Sequence, residues 1–282
     1  GITIGSIVGK IIDYILLDRL SDLLLTSDLQ YGFKKGHSTN MCTMVLKETI
    51  AYYTSNENNI FCIFLDLTKA FDRVNYCKLF HILVNRKFPA VVTRFLLNEY
   101  NAHRTRVLWN GAKSEFFDVQ NGVKQGGVLS PVLLCLYIDI LLSRLHKSGV
   151  GCYIGTEFVG SLAYADDVTL LAPTPSAIRI MLRICDEFAK EYSVIFNIKK
   201  TKCLFFQPRG KRLVQTCDLP VFTLNNNSIE YVDLYCHLGN LINTSLSDSD
   251  CILARRNSLI GQLNDVLCYF GKLECHVKSE LL

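Results

Sequence analysis

The sequence predicts an α+β fold whose central layer is ferredoxin-like, with the element order β-α-β-β-α-β from residue 60 onward. An apolar run from Ile60 to Leu65 indicates a buried strand, and it ends at Asp66. A second apolar run over 159–171 is interrupted by Asp166-Asp167, as a strand-turn-strand would be. With 282 residues, 49% of them hydrophobic, the chain is long enough to bury such a core.

The formal net charge of +4 is too small to establish a nucleic-acid partner. Local clusters of basic residues are more informative, although most such clusters are solvated surface. They are Lys34-Lys35, Arg104 with Arg106, Lys199-Lys200 with Lys202, Arg209-Gly210-Lys211-Arg212, and Arg255-Arg256. Only the clusters that lie beside another candidate functional motif are candidate binding residues.

The twelve cysteines contain no Cys-x-x-Cys pair, and Cys236-His237 and Cys275-His276 lack the partner spacing of a zinc site. We expect reduced thiols, mostly small core residues, in an intracellular protein. Neither a secretory signal core nor an uncharged run of about 18 apolar residues is present, so we expect a soluble chain. The start at Gly1 without an initiator Met suggests a fragment.

The first 60 residues predict two helices joined by a basic loop. A partly buried helix is expected within 1–30, and Ser38 or Thr39 is expected to cap a helix over about 41–54. The loop between them carries Lys34-Lys35 between two glycines. Backbone N–H groups and lysines beside a helix start suit phosphate binding, but a simple turn remains an alternative.

The next elements follow from apolar spacing and turn residues. Residues 69–74 predict a turn or short helix, and 76–102 predict helices interrupted at Phe88-Pro89. Residues 104–120 predict a hairpin around Asn110-Gly111. A glycine-rich loop over 121–131 leads into an apolar helix from about Pro131 to His146. This loop either lets the backbone approach a ligand closely or is a flexible connector.

The last third predicts a helix, a strand and a strand pair. Thr174-Pro175 begin a helix whose apolar stripe is core. Residues 196–206 pass from a basic turn into a strand, 231–242 contain a short strand pair, and 246–282 are expected to be helical.

The Asp166-Asp167 pair is costly within an apolar run, because Asp is disfavoured in strands and two like charges repel. One interpretation is a hairpin whose tip is Asp-Asp by turn preference. The other is a site that holds both carboxylates for Mg²⁺. A charge at the end of a buried strand is frequently functional, because burial without a partner is costly, and this is the favoured interpretation of Asp66. The alternative is a cap for the next helix.

The ferredoxin-like order connects these carboxylates, because its central strands lie side by side. If Asp66 and the Asp166-Asp167 hairpin occupy those strands, three carboxylates meet in one place. That arrangement is typical of two-metal phosphoryl transfer. Lys34-Lys35 and Lys200 would then neutralise triphosphate charge.

Several blocks of the sequence resemble, in order and spacing, the central blocks of reverse transcriptases, most of all those of non-LTR (LINE-type) retrotransposons. Any single block is weak evidence, but the collinear series is specific and covers nearly the whole chain. The blocks are residues 30–33, 64–72, 122–131, 163–167, 197–202 and 238–239. The resemblance implies a right-hand polymerase architecture, with fingers, a ferredoxin-like palm and a truncated thumb.

The resemblance also implies the following roles, residue by residue. Asp66 and Asp166 would be the principal Mg²⁺ ligands, supported by Asp167 and the Leu67 carbonyl, with two Mg²⁺ ions (or Mn²⁺) as cofactors. Lys200 would protonate the departing pyrophosphate, and Phe71 would exclude a ribose 2′-OH. Nucleotide-binding positions would be Lys34, Lys35, Ala70, Phe71, Gln125, Gly126 and Tyr164, and the primer grip would be Leu238 and Gly239.

The implied domain boundaries are fingers over 1–58, the first catalytic palm strand over 59–72, a fingers/palm insertion over 73–120, palm over 121–243, and the start of a thumb over 244–282. The chain departs from the family where His37 replaces a usual Arg and His237 a usual Tyr. His37 would be only partly charged near neutral pH, which would weaken a triphosphate contact.

The expected function is RNA-directed DNA polymerisation, with an RNA template, a DNA primer and dNTPs as partners, in the nucleus or else the cytoplasm. The alternative is a truncated, catalytically silent remnant that keeps the fold and at most binds nucleic acid. An RNA-dependent RNA polymerase is disfavoured by the bulky Phe71, and a two-metal nuclease would not need the glycine loop.

Overall fold

The computed structural model describes residues 2–208, 210 and 218–270. It divides into two compact units, Gly1–Val232 and Asp233–Leu282.

The helices are α1 Ile7–Arg19, α2 Thr39–Ser55, α3 Ala70–Arg73, α4 Tyr76–Asn85, α5 Ala90–Asn101, α6 Ser130–Lys147, α7 Pro175–Tyr192 and α8 Ser249–Phe270, with a 3-10 turn at Ser21–Leu24. The first nine strands are β1 Ile60–Leu65, β2 Arg104–Thr105, β3 Leu108–Trp109, β4 Ala112–Lys113, β5 Phe117–Asp118, β6 Tyr153–Ile154, β7 Glu157–Phe158, β8 Ser161–Tyr164 and β9 Asp167–Ala172. The others are β10 Lys202–Phe206, β11 Thr223–Leu224, β12 Asn227–Ser228, β13 Glu230–Tyr231, β14 Leu234–His237 and β15 Asn240–Asn243.

The first unit is built on a five-stranded sheet in the order β13-β10-β1-β9-β8. Strand β1 is antiparallel to both β9 and β10, β8 is antiparallel to β9, and the short β13 adds a parallel edge. With α6 between β1 and β8 and α7 between β9 and β10, the connectivity is β-α-β-β-α-β. The predicted ferredoxin-like layer is therefore present, and β1 and β9 are adjacent as the carboxylate hypothesis requires.

Helices α6 and α7 cover one face of this sheet. Alternate residues of the strands share a buried cluster with these two helices, as the period-two pattern of a strand requires. Helix α7 begins where predicted, because the Thr174 hydroxyl accepts a hydrogen bond from the Ala177 N–H and Pro175 occupies the first turn. Its apolar stripe is buried, which confirms that this stripe is core.

Helix α2 contacts the sheet at β1 and β8. It begins at Thr39 because the Ser38 hydroxyl accepts from the Met41 N–H at 3.2 Å, as the sequence predicted. The loop before it is tied to β8, where the Tyr31 N–H donates to the Ala163 carbonyl at 2.7 Å. The chain from Leu29 to Tyr31 therefore runs along the free edge of β8.

The predicted turns lie where expected. The break at Phe88-Pro89 separates α4 from α5, and Asn110-Gly111 joins β3 to β4 with both φ angles positive. In the second unit, Leu238-Gly239 joins β14 to β15 with φ of 49° and 76°, the signs of a type I′ turn. Part of the prediction for 246–282, and Arg209, Lys211 and Arg212 of one basic cluster, lie outside the described residues.

Ten cysteines of the described residues are free thiols, and six of these are buried, in agreement with the prediction of reduced core cysteines. Cys217 and Cys275 lie outside the described residues. Over the same part of the chain, none of the helices has the length and apolar character needed to cross a membrane.

Candidate active site

Asp66 lies directly after β1, at a point where the backbone is held on one side by the turn that follows α7. Its carbonyl accepts from the Asn197 N–H at 2.8 Å, and the Thr68 N–H donates to the Ile195 carbonyl at 2.8 Å. Leu67 is buried and forms an isolated bridge with Phe196. These contacts fix the backbone around Asp66, while its carboxylate remains 23% exposed.

Asp166 and Asp167 lie at the end of the β8–β9 hairpin, on the strand next to β1. Tyr164 pairs with Asp167, so Ala165 and Asp166 are the two loop residues. Leu65 pairs with Val168, which places Asp66 and Asp167 just beyond the last paired residues of two neighbouring strands. The hairpin interpretation and the carboxylate-site interpretation are therefore compatible, because the turn itself carries the carboxylates next to Asp66.

The three carboxylates influence one another electrostatically. Burial, and then the negative charge of Asp66, raise the pKa of Asp166, against its own backbone hydrogen bond. Burial followed by the charges of Asp166 and Asp66 raises the pKa of Asp167 to about 6, and Lys200 opposes this rise. The side chain of Asp167 nevertheless keeps an exposed surface that a cation can reach. This group of side chains favours extra positive charge.

Lys200 supplies one positive charge at this place. Its ammonium Nζ lies 3.6 Å from Oδ1 of Asp66, and its side chain is 67% exposed. The turn that carries Lys200 is closed by hydrogen bonds from the Lys200 and Thr201 N–H groups to the Asn197 carbonyl. The buried Thr201 hydroxyl also accepts from the Asp66 N–H at 3.5 Å. The predicted lysine block and the first carboxylate are therefore parts of one hydrogen-bonded unit.

Two buried thiols lie near the carboxylates. Burial and the nearby Asp167 raise the pKa of Cys42 in α2 to about 12. Burial, Asp166 and then Asp139 raise the pKa of Cys135 in α6 to about 12. Both remain protonated at neutral pH, so they do not add negative charge to the site.

The three carboxylates lie near one another but do not form a complete coordination shell for a metal ion. Among residues 2–208, 210 and 218–270, no three His, Cys, Asp or Glu side chains converge closely enough to hold a metal ion. The chemistry of the donors does fit a hard divalent cation, because carboxylate oxygens are its preferred ligands and because burial, together with the neighbouring carboxylates, raises the pKa values of Asp166 and Asp167.

The glycine loop packs against the segment that carries Phe71. The Val123 N–H donates to the Phe71 carbonyl at 2.7 Å, and Gly122 has φ of 92°, where a Cβ would lie 2.9 Å from the Asp72 backbone. Phe71 is half-buried and Ala70 is buried in α3, whereas Gln125 and Gly126 are exposed. The Gln125 carbonyl accepts from the Thr3 N–H at 2.7 Å. The structure thus joins the Phe71 segment to the glycine loop.

The two lysines of the first basic loop differ in their surroundings. Lys34 pairs with Asp28 at 2.9 Å and also donates to the carbonyls of Thr26 and Ser27, so its ammonium is engaged locally. Lys35 is exposed. His37 has its Nδ1 3.2 Å from the Lys35 carbonyl and packs edge-on against Tyr31. Lys35 is thus the more accessible cation of the pair.

The predicted primer grip lies in the second unit. Leu238 and Gly239 form the tip of the β14–β15 hairpin. The neighbouring His237 is buried, and burial lowers its pKa to about 4. This histidine is therefore neutral near pH 7.

Sequence reasoning missed the residue that holds the Asp166-Asp167 turn. Gln30 is fully buried, and its carboxamide bonds both the N–H and the carbonyl of Ala165. Asn197 and Thr201 lie within the 197–202 block, but the sequence did not predict their hydrogen bonds to the Asp66 backbone. The available signal was a polar residue two positions before a Gly at the start of a basic loop, which does not identify a partner 135 residues away.

The fold and the carboxylate arrangement define the palm of a right-hand nucleic-acid polymerase. A sheet of this connectivity, with acidic residues after its first strand and on the adjoining hairpin, presents carboxylates at one edge.

The chain belongs to the reverse transcriptase (RNA-dependent DNA polymerase) family, whose model matches residues 2–232. It is 26% identical over 247 residues to the Pol polyprotein of the type-1 retrotransposable element R2 of Nasonia vitripennis, covering 86% of this chain and 24% of that protein. It is 26% identical over 258 residues to the RNA-directed DNA polymerase of the mobile element jockey of Drosophila melanogaster, covering 86% and 26%. These relatives confirm the resemblance to non-LTR retrotransposon polymerases.

Among solved structures, apo telomerase from Candida tropicalis superimposes with a TM-score of 0.55 at 12% identity, covering 84% of this chain and 39% of that one. At this identity the likeness concerns the fold, and it supports the right-hand polymerase architecture. The chain spans about a quarter of the length of the two retrotransposon proteins it matches.

Proposed function

We propose that this chain is the catalytic region of an RNA-directed DNA polymerase of a non-LTR retrotransposon. It would transfer a deoxynucleotide from a dNTP to a primer 3′-OH on an RNA template. The observation that carries the proposal is the placement of Asp66 and Asp166-Asp167 at the ends of the paired strands β1 and β9, beside Lys200. This is the acidic group that two-metal nucleotidyl transfer needs.

Asp66, Asp166 and Asp167 would hold the divalent cations, and the Leu67 carbonyl would add an oxygen. Bound Mg²⁺ (or Mn²⁺) would supply charge that lowers the pKa of the primer hydroxyl and stabilises the leaving oxygen. Support comes from the raised pKa values of Asp166 and Asp167, because a bound cation would offset both the burial of their charges and the repulsion from neighbouring carboxylates. Both carboxylates would have to be ionised to bind it.

The other residues of the chain would bind and orient the substrates. The primer 3′-OH would lose its proton to water, its oxygen would attack the α-phosphorus of the dNTP, and the bond from this phosphorus to the β-phosphate oxygen would break. Lys200 would donate a proton to the departing pyrophosphate, and its exposed position beside Asp66 supports that role. Lys35, with Lys34, would pair with the triphosphate as substrate enters.

Selection of the sugar would depend on Phe71. Its carbonyl accepts a hydrogen bond from the Val123 N–H at the base of the glycine loop, so the backbone of Phe71 is joined to the loop that includes Gln125 and Gly126. We infer that Phe71 would clash with a ribose 2′-OH, while Ala70, Tyr164 and Gln125 would shape the rest of the nucleotide pocket. In the second unit, Leu238-Gly239 would contact the primer.

The protein would bind template and primer mainly through their phosphates and without sequence preference. The nucleus is the compartment we propose, because the RNA would be copied at its chromosomal target.

Primer extension on a homopolymer RNA template tests this proposal. We expect Mg²⁺-dependent extension by the wild-type protein and its loss in Asp166→Asn, which removes one carboxylate charge with little change of shape. Asp186→Asn is a matched control, because Asp186 lies on α7 and its contact is with the Asn225 N–H. Undiminished extension by Asp166→Asn would refute the metal assignment. Absence of extension by the wild-type protein would favour the silent remnant.

A further inference from the structure

The loop of the β8–β9 hairpin, which carries Asp166, has Ala165 as its first residue, and the backbone conformation of this residue is unusual. Ala165 has φ of 56°, whereas Asp166 is not among the residues with positive φ. These are the φ signs of a type II′ turn, which normally has Gly at its first loop position. An Ala in this conformation requires support from its surroundings, because its Cβ is strained there.

Gln30 provides that support. Its Nε2 donates to the Ala165 carbonyl at 3.1 Å, and its Oε1 accepts from the Ala165 N–H at 2.8 Å. The same Oε1 accepts from the Gly32 N–H at 2.9 Å. Gln30 and Ala165 are both buried, so water does not replace these bonds. One carboxamide therefore satisfies both backbone groups of the residue that precedes Asp166.

The position of Gln30 is itself fixed by the backbone. The Ala163 N–H donates to the Leu29 carbonyl at 2.8 Å, and the Tyr31 N–H donates to the Ala163 carbonyl at 2.7 Å. These bonds form a parallel bridge between Gln30 and Ala163 at the edge of β8. The Gln30 side chain thus reaches the tip of the β8–β9 hairpin from a backbone segment that is hydrogen-bonded to β8.

Gly32 allows the close approach. A Cβ at this position would lie 2.3 Å from the Ala165 nitrogen and 3.1 Å from Oε1 of Gln30. Residue 32 must therefore be Gly for the carboxamide and the turn to meet. Gln30, Gly32 and Ala165 form one interlocked unit, which we call the turn clamp.

We propose that Gln30 is a positioning residue for the acidic site, because the turn clamp holds the Asp166-Asp167 turn toward Asp66. The inference rests on the proposed function, since it assumes that these carboxylates bind a divalent cation. Carboxylates that bind cations depend on neighbouring hydrogen bonds for their orientation, and loss of such support typically weakens metal affinity 10- to 100-fold.

The test compares Gln30→Leu with Tyr137→Phe, with Mn²⁺ alone as the probe. Gln30→Leu keeps the approximate size but leaves backbone groups of Ala165 and Gly32 unpaired. Tyr137→Phe is the matched control, because the buried Tyr137 hydroxyl donates to the Tyr192 carbonyl at 2.6 Å and accepts from the Asn75 N–H at 3.2 Å. Both variants lose buried hydrogen bonds to the backbone, but only one touches the turn.

We expect both variants to melt at lower temperature than the wild-type protein without metal. Mn²⁺ binding, measured by electron paramagnetic resonance, should weaken about tenfold in Gln30→Leu and stay within about twofold in Tyr137→Phe. Equal Mn²⁺ affinity in the two variants would overturn the proposal. If Gln30→Leu does not fold, Gln30→Asn replaces it, since the same amide one methylene shorter does not span the distance to Ala165.

Asp166→Asn in the same assay separates this inference from the proposed function. Loss of Mn²⁺ binding in Asp166→Asn together with normal binding in Gln30→Leu would overturn the role of Gln30 alone. Normal binding in Asp166→Asn would overturn both the cation site and the positioning role.

Discussion

Replacement of Asp167 by Asn is expected to stabilise the metal-free protein above pH 6 and to remove its stabilisation by Mg²⁺. Burial and two neighbouring carboxylates raise the pKa of Asp167 from 3.8 to about 6. For a fully buried group this corresponds to about 3 kcal/mol. Because the Asp167 side chain is only partly buried and keeps an exposed surface, solvent screening reduces the expected effect to about 1 kcal/mol, or about 2 °C in melting temperature.

The sign of this effect depends on pH. A carboxyl group whose pKa is raised in the folded state contributes stability that is fully present below pH 3.8, its ordinary pKa, and is lost as pH rises through about 6. The ionised Asp167 therefore destabilises the wild-type protein at pH 7.5, whereas the protonated Asp167 does not at pH 3.5. Asn does not ionise, so the difference between the two proteins should be confined to the higher pH.

Thermal unfolding followed by circular dichroism from pH 3.5 to 8, with a chelator and then with Mg²⁺, measures both parts of this prediction. Asp186→Asn is the control for removal of a charge outside the site. A melting temperature of Asp167→Asn at or below that of the wild-type protein at pH 7.5 without metal would refute the electrostatic reasoning. So would an equal rise in melting temperature with Mg²⁺ in both proteins.

Three further results are expected. Phe71→Ala should raise the use of ribonucleotides relative to deoxynucleotides in kcat/KM, and an unchanged ratio would remove Phe71 from sugar selection. Lys200→Met should lower kcat about 100-fold. It should also shift the acidic limb of the activity–pH profile to higher pH, because Lys200 lowers the pKa of Asp167. An acidic limb at unchanged pH would contradict this electrostatic influence of Lys200 on the carboxylates. Gly122→Ala should destabilise the fold by about 2 kcal/mol or more, since its Cβ would lie 2.9 Å from the Asp72 backbone, whereas Gly36→Ala, with φ of 79° and open space around it, should cost about 1 kcal/mol. Urea unfolding compares the two variants, and equal losses would contradict the steric reasoning.

Local patterns predicted much of the fold because their causes are local. The buried strand that ends at Asp66, the cap of α2 at Ser38 and the turn at Asn110-Gly111 each depend on residues within a few positions of one another. The pairing of β1 with β9 followed from the order of elements, because the ferredoxin-like topology leaves little freedom for its central strands.

The sequence predicted the charged residues of the candidate site but not the hydrogen bonds that hold the backbone around them. Asp66, the Asp166-Asp167 pair and Lys200 stand out in the sequence because carboxylates and a lysine interrupt or adjoin apolar runs. The hydrogen bonds from Gln30 to Ala165 span 135 residues, and a single sequence does not reveal such a contact. The ion pair of Lys34 with Asp28 was not predicted for a different reason, since sequence spacing within a loop does not determine which side chains meet.

The central claim is that Asp66 and Asp166 belong to one cation site. Mn²⁺ affinity measured for the wild-type protein, Asp66→Asn, Asp166→Asn and the double variant tests it most directly. If the two carboxylates share a cation, each single variant should lose most of the binding, and the double variant should lose little more than either. Losses that multiply in the double variant, or unchanged affinity in either single variant, would contradict a shared site.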